Sequence, residues 1–169
     1  VEALGEKNPA VDAEIILLAW EFLKSLGLDD LTLKINTVGC PACRPIFRRK
    51  LTEFFTEEAD ELCSDCKRRL EKNPLRILDC KVDGLKDFMD DAPKIETCLC
   101  DDCREHFNNV KKFLTAAGVP FEINPRLVRG LDYYTKTAFE IQYAPLGAQS
   151  AVAGGGRYDG LIKEIGGED

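Results

Sequence analysis

The sequence holds a single histidine, His106, among 169 residues, and that scarcity narrows the chemistry at once. His106 follows Cys103 closely with no carboxylate evident to orient it, so a cysteine–histidine nucleophile is not expected and the ring reads as a helix-surface residue. Positive charge is also short. Against 30 Asp and Glu stand 23 Lys and Arg, a net charge of -7, which opposes an isolated module that grips phosphates non-specifically and leaves only local basic patches. No apolar run approaches the length of a membrane span, and no basic leader with an apolar stretch and cleavage site is present. A cytoplasmic protein with no membrane partner is therefore expected. Internal repeats and low-complexity tracts are missing too. Val1 stands where an initiator methionine would, so the chain reads as an internal part of a longer protein.

What is present is a composition 44% hydrophobic and 31% charged, enough for a real core in one domain or a small domain with an inserted lobe. Asn8 and Pro9 supply a cap and a first helical residue, after which Ile15, Leu18, Ala19, Phe22, Leu23 and Leu26 recur at helical spacing before Gly27. Residues 31–38 alternate Leu31, Leu33 and Ile35 with polar residues, the period of a strand with one buried face. Residues 44–72 predict two helices before the Asn73-Pro74 break, and 103–117 a further helix with Phe107, Val110, Leu114 and Ala117 in step. Strand character returns at 119–123 and from Tyr133 to Tyr143. The order is that of an α+β sheet segment (1–40 and 119–169) interrupted by a mainly helical, cysteine-rich insert (41–118).

Eight cysteines without a secretion signal point to thiol or metal chemistry more than to a disulfide framework. Cys40 and Cys43 in "GCPACR", and Cys100 and Cys103 in "CLCDDCREHF", each form a knuckle that runs into a helix start. Together they could supply the four thiolates of a structural Zn²⁺ site, at about 2.3 Å from the metal. Cys63 and Cys66 form a third CxxC in a helical-looking segment, with Cys80 as a third ligand and Cys98 spare. Three readings stay open: the two loop-like knuckles together, which we prefer; Cys40 and Cys43 with Cys63 and Cys66; or reduced cysteines with no metal.

At the end of the chain, "RLVRGLDYYTKTAFEI" places Arg129, Asp132, Tyr133 and Tyr134 at the mouth of a strand. That strand alternates between an apolar-leaning face of Tyr133, Thr135, Thr137, Phe139, Ile141 and Tyr143 and a polar one of Tyr134, Lys136, Ala138, Glu140 and Gln142. A central strand with one polar face borders water or a ligand cleft. Further on, "AVAGGGRYDGL" runs a strand into Gly154, Gly155 and Gly156, which permit positive φ and close backbone approach, and then into a helix-like run. It lacks the ending of a Walker loop.

Together "LVRGLDYYTKTAFE" and "AGGGRYDGL" closely resemble the two signature motifs of histidyl-tRNA synthetases, a class II aminoacyl-tRNA synthetase family. "VEALG" resembles the second strand of class II motif 2 and "NPLRILDCK" the family's inserted domain, so the resemblance covers essentially the whole chain. It implies part of a class II antiparallel sheet with flanking helices. It further implies that Arg129 contacts the histidine carboxylate and the α-phosphate of ATP, that Tyr134 and Glu2 hold the imidazole, and that Tyr133, Arg157 and Tyr158 line the same pocket near the glycines. The residue types suit that chemistry. A planar, permanently charged arginine bridges two anions without proton transfer, and a hydroxyl with a carboxylate reads the donor and acceptor of imidazole. The full-length protein would use ATP with Mg²⁺, act on tRNA(His) and form a homodimer, although no magnesium ligand is evident here.

Motif 1, the first strand of motif 2, motif 3 and the anticodon-binding domain would fall outside residues 1–169, so the chain alone is not expected to form histidyl-adenylate. The basic residues Arg44, Arg48, Arg49, Lys50, Lys67, Arg68 and Arg69 read either as acceptor-stem contacts or as a solvated face paired with neighbouring acids. Two rival functions are kept. One is a synthetase-like regulatory subunit of ATP phosphoribosyltransferase, which would be expected to lack the signatures and the insert. The other is a zinc-dependent RNA-binding or interaction module.

Overall fold

In the computed structural model, which describes residues 1–128 and 133–167, the Asn8 side chain accepts from the Ala10 amide and starts α1 (Pro9–Ser25) as its cap. The buried face of α1 is not the one its spacing suggested. Ala13, Ile16, Trp20 and Leu23 turn inward, while Leu18, Phe22 and Leu26 are 50%, 60% and 62% exposed. α1 is apolar around most of its circumference, so periodicity alone could not select the face that meets the sheet.

β1 (Leu31–Gly39) follows and buries Leu33 and Ile35 as the alternation predicts. The insert opens with α2 (Cys43–Glu57) and α3 (Ser64–Lys72) and continues through four short 3₁₀ turns between Pro74 and Cys98. α4 (Asp101–Ala116) returns to the sheet, where β2 (Glu122–Ile123), β3 (Thr135–Tyr143) and β4 (Ala151–Arg157) lead to the short α5 (Leu161–Glu164).

The strand order is β2-β1-β3-β4. β1–β3 and β3–β4 are antiparallel, as expected, whereas the two-residue β2 pairs with β1 in parallel, so the sheet is mixed. Only Glu122 and Ile123 of the predicted 119–123 strand pair, because Pro120 has no N–H to donate and Val119 is buried in the helix–sheet core. Residues 1–5, which resemble a motif 2 strand, form no strand among the described residues. Gly5 takes φ 79° there and interrupts the extended path.

Two cores result. Ala13, Ile16, Trp20 and Leu23 of α1, Leu33 and Ile35 of β1, Phe107, Val110 and Leu114 of α4, and Phe139 and Ile141 of β3 form one. Each Leu, Ile, Val and Phe among them contributes roughly 1.5–3 kcal/mol of burial. Phe47, Leu51 and Phe55 of α2 anchor the other, together with Leu62, Ile77, Met89, Ile95 and the buried cysteines. α4 joins them, with Cys103 in the second core and its remaining turns in the first. Ala117, expected in step with that stripe, is the exposed C-cap.

Candidate functional site

The signature strands meet at one end of the sheet. Arg129 and Asp132 lie outside the described residues, but the tyrosines flank them in view. The rings of Tyr133, Tyr134 and Tyr158 cluster with centroids 4.8, 5.9 and 6.2 Å apart. The Tyr158 hydroxyl donates to Glu2 Oε1 at 2.6 Å. That carboxylate first, and then burial, pushes the Tyr158 pKa up to about 12, so the hydroxyl stays a donor at neutral pH. Glu2, Tyr133, Tyr134 and Tyr158 are thus brought together from the two ends of the chain.

The segment entering the signature is held by β1. Buried Asn36 donates to the carbonyls of Leu127 at 2.9 Å and Pro125 at 3.3 Å, and the Asn124 amide donates to Ile35 O. Lys136, at the mouth of β3, has φ 51°, a region that favours glycine, opposite a bulge between Thr37 and Gly39. Its ammonium pairs with Asp102 at 2.9 Å.

Gly154, Gly155 and Gly156 are strand residues of β4 rather than a loop after it, and none has positive φ. Their smallness serves the neighbouring strand. A Cβ on Gly156 would lie 2.3 Å from Thr137 O and 2.9 Å from the Tyr134 ring, and one on Gly155 would lie 2.8 Å from Phe139. Gly156 therefore lets the Tyr134 ring lie directly over β4.

Arg157 is drawn into a buried network. It binds Asp12 through Nη2 at 2.6 Å and Nε at 3.0 Å, Asp159 at 2.9 Å, and the carbonyls of Glu6 and Asn8. Its side chain is 7% exposed and turned to the start of α1 and to Asp159 rather than to an open pocket. His106, expected on a helix surface without a carboxylate, is instead buried with Nε2 2.8 Å from Asp12 Oδ2. Its partner is 94 residues away in sequence, which is why no local pattern revealed it. Burial acts to raise the Asp12 pKa, but bonds with His106, Arg157 and Thr137 hold it below the usual carboxylate range.

The preferred cysteine set assembles. The ligand atoms of Cys40, Cys43, Cys100 and Cys103 all lie within 4.8 Å of one another, with Cys40 Sγ 3.6 Å from Cys43 Sγ and 3.9 Å from Cys100 Sγ. Four sulfurs around a zinc at about 2.3 Å would be separated by about 3.8 Å, the edge of the tetrahedron. Gly39 makes the knuckle, with φ 66° and its missing Cβ only 2.8 Å from the Cys43 Cβ. The Cys100 amide donates to Cys43 Sγ at 3.2 Å, the kind of bond that orients a thiolate ligand. Burial opposes the Cys40 thiolate, but the amides of Cys43 and Ala42 and the thiols of Cys43 and Cys103 bring its pKa down to about 7. Burial and then the neighbouring sulfurs of Cys100 and Cys40 push Cys103 up. A divalent cation would relieve that crowding of negative charge.

The alternative pairing of Cys40 and Cys43 with Cys63 and Cys66 is not formed. Cys63, Cys66 and Cys80 gather separately with Asp83, a member that sequence reasoning missed. Cys98 is buried in the insert core and belongs to neither group.

The basic residues divide. Arg49 pairs with Glu53 and Arg68 with Asp65 along their own exposed helices, as in the solvated-face reading. Arg44 and Arg48 instead join Lys72, Arg76, Val38, Val128 and Tyr134 around a cleft of about 360 Å³ between insert and sheet. Arg48 is fixed by donating to Lys72 O at 2.8 Å, and Arg69 by donating to Arg76 O at 2.9 Å.

With this geometry in place, comparison with known proteins sets the class and then the family. The family model described as histidyl-tRNA synthetase matches residues 1–169. The histidine–tRNA ligase of Desulforapulum autotrophicum is 58% identical over 168 residues, covering 99% of this chain and 40% of that relative. The apo histidyl-tRNA synthetase of S. aureus superposes with a TM-score of 0.73 at 37% identity, over 98% of this chain and 40% of that one. A Bacillus halodurans protein described as an ATP phosphoribosyltransferase regulatory subunit/histidyl-tRNA synthetase shares the fold alone, at 22% identity and TM-score 0.57 over 95% of this chain and 46% of that one. The α+β fold is that of a class II aminoacyl-tRNA synthetase. The chain belongs to the histidyl-tRNA synthetase family and spans about 40% of the length of the curated relatives it matches.

Proposed function

We propose that this chain supplies the histidine-recognising part of a histidine–tRNA ligase, which condenses histidine with ATP and passes the histidyl group to tRNA(His). The observation that carries the reading is the Glu2–Tyr158 pair beside Tyr133 and Tyr134, a carboxylate, a hydroxyl and two further tyrosine rings gathered at the signature end of the sheet. An imidazole needs one acceptor and one donor at fixed separation, which the Glu2 carboxylate and the Tyr134 hydroxyl would supply, and an amino acid without ring nitrogens would forfeit both bonds. Arg129 would bridge the histidine carboxylate and the ATP α-phosphate as charge develops on phosphorus, with Mg²⁺ on the remaining phosphates. Arg157 sits behind this pocket and fixes β4 against the start of α1. The glycines let the Tyr134 ring sit close to β4.

Residues 1–40 and 119–169 form the catalytic segments in this reading, and 41–118 the inserted domain. The cleft of Arg44, Arg48, Lys72 and Arg76 adjoins Tyr134 and suits the phosphates of an acceptor stem approaching the aminoacylation site. Cys40, Cys43, Cys100 and Cys103 hold a structural Zn²⁺. The exposed apolar row Leu18, Phe22 and Leu26 supports a covering surface in the homodimer of the full-length protein. Among the described residues no helix is long and apolar enough to cross a membrane, and a cytoplasmic site of action fits an enzyme of protein synthesis.

Calorimetry tests the reading. In the full-length ligase, Glu2→Gln and Tyr158→Phe should each weaken histidine binding by at least tenfold while sparing ATP. Unchanged histidine affinity in both would overturn this pocket. The 169-residue chain alone should give no histidine-dependent ATP–pyrophosphate exchange, and exchange above background would contradict that. RNA binding by the chain with no histidine site in the full-length protein would favour the RNA-binding module instead.

A further inference from the structure

The group formed by Cys63, Cys66, Cys80 and Asp83 is a cluster of metal-ligating side chains that the reading above leaves unused. We infer that it is a second, independent zinc site of the insert, with three thiolates and one carboxylate as ligands. Its four ligand atoms all lie within 4.8 Å of one another, and Cys63 Sγ and Cys80 Sγ are 3.9 Å apart. That spacing again matches the roughly 3.8 Å edge of a zinc tetrahedron and not a disulfide, whose sulfurs sit about 2.05 Å apart.

The local structure presents these atoms in a set way. Cys63 is the N-terminal flanking residue of α3 and Cys66 lies in its first turn. Cys80 follows the turn Pro74–Ile77, and Asp83 opens the next turn. The Asp83 amide donates to Cys80 Sγ at 3.4 Å, and the Cys63 amide donates to the two Asp83 oxygens at 3.2 and 3.1 Å. These are the bonds that hold ligands in place around a cation.

Asp83 is the decisive member. Its carboxylate is fully buried, and so is Cys66. Thiols are weak donors and compensate poorly for the lost hydration of an ionised carboxylate. Lys86 reaches Asp83 Oδ1 at 3.1 Å, yet it also donates to the Glu61 carbonyl and is itself a third exposed, so it offsets only part of the charge. A carboxylate has about four lone-pair sites, and these contacts leave one on Oδ2, met only by the weakly donating thiols, which a cation would replace. With three thiolates and a carboxylate, a divalent cation and Lys86 leave one net negative charge in place of four. Sulfur-rich tetrahedral sites select zinc, and a carboxylate oxygen is an accepted fourth ligand.

This site goes beyond the first cluster. The two share no ligand, and together they pin both ends of a segment that otherwise has only α3 and short 3₁₀ turns.

The test is metal stoichiometry of the whole 169-residue chain, purified with zinc under reducing conditions, followed by titration of the metal-free protein with Co²⁺. Two equivalents of zinc and two successive tetrahedral Co²⁺ phases are expected. Cys80→Ser and Cys103→Ser should each remove one equivalent, from different sites. Asp83→Asn should weaken one phase at least tenfold and shift its absorption while leaving the other unchanged. A wild-type chain that binds no metal, or that binds one equivalent kept by Cys80→Ser and unmoved by Asp83→Asn, would overturn the site, and the Asp83→Asn arm stands even if the serine variants do not fold. Two equivalents with both Co²⁺ phases unmoved by Asp83→Asn would overturn the carboxylate ligand.

Discussion

The two cores of this chain solve the same problem with different materials. The helix–sheet core is made of long elements whose apolar side chains interlock across β1, β3, α1 and α4. The insert core contains five buried cysteines, Cys43, Cys66, Cys80, Cys98 and Cys103, and much of its chain runs in 3₁₀ turns. Short turns bury little area for the backbone they order, and that core gathers its sulfur groups into clusters that a bound metal would cross-link, whereas the sheet core is held by packing and one ionic network.

The largest expected disturbance is therefore metal removal. Structural zinc supplies on the order of 10 kcal/mol of folding free energy in small zinc domains. Under a chelator and reductant, amides of α2 and α3 should lose hydrogen-exchange protection while those of β1 and β3 keep it. Equal loss in both would show that the cores melt as one unit.

Next comes Asp12→Ala, which removes the buried carboxylate of Arg157, leaves it only the more exposed Asp159, and should cost about 3–5 kcal/mol in urea unfolding. Because the folded-state pKa of Asp12 is depressed, its contribution is fully present above the unfolded value near pH 4 and is lost as pH falls through the lower folded value. The wild type should lose stability over that acidic window and the variant should lack that component.

A smaller contrast sets Gly156→Ala against Gly84→Ala. The first drives a methyl into Thr137 O and should cost about 1–3 kcal/mol, while the second has open space around it and should stay within about 0.5 kcal/mol. Smallest of all, Tyr158→Phe should change unfolding by no more than about 1 kcal/mol, since its bond to Glu2 is exposed. A larger loss would mean that the signature end is part of the sheet core rather than a site resting on it.

Local chemistry made much of this legible. The Asn8-Pro9 start, the alternation of β1, the paired helices before Asn73-Pro74 and the two cysteine knuckles each follow from a few adjacent residues. What stayed hidden depended on distance in sequence. The Asp12 partner of His106 and Arg157 belongs to contacts that no spacing rule records, whereas Asp83 stands three residues after Cys80, the spacing of the knuckles, and is hidden only because a carboxylate stands where a cysteine would. The inward face of α1 was hidden for a different reason, since Leu18 and Phe22 are as apolar as the residues that pack. The glycines of β4 stand out in the sequence, but Gly155 and Gly156 make room for Phe139, Thr137 O and Tyr134 rather than turning the chain.

Asp102 sits between Cys100 and Cys103, and its carboxylate grips Lys136, the residue whose backbone bends into β3 directly after the tyrosines. The knuckle that gathers sulfur is thus also a mooring for the mouth of the signature strand. A shift of that knuckle, through loss of its ligand geometry or through a load on the insert, would pull first on Lys136 and so reach the tyrosine end of the sheet without crossing either core.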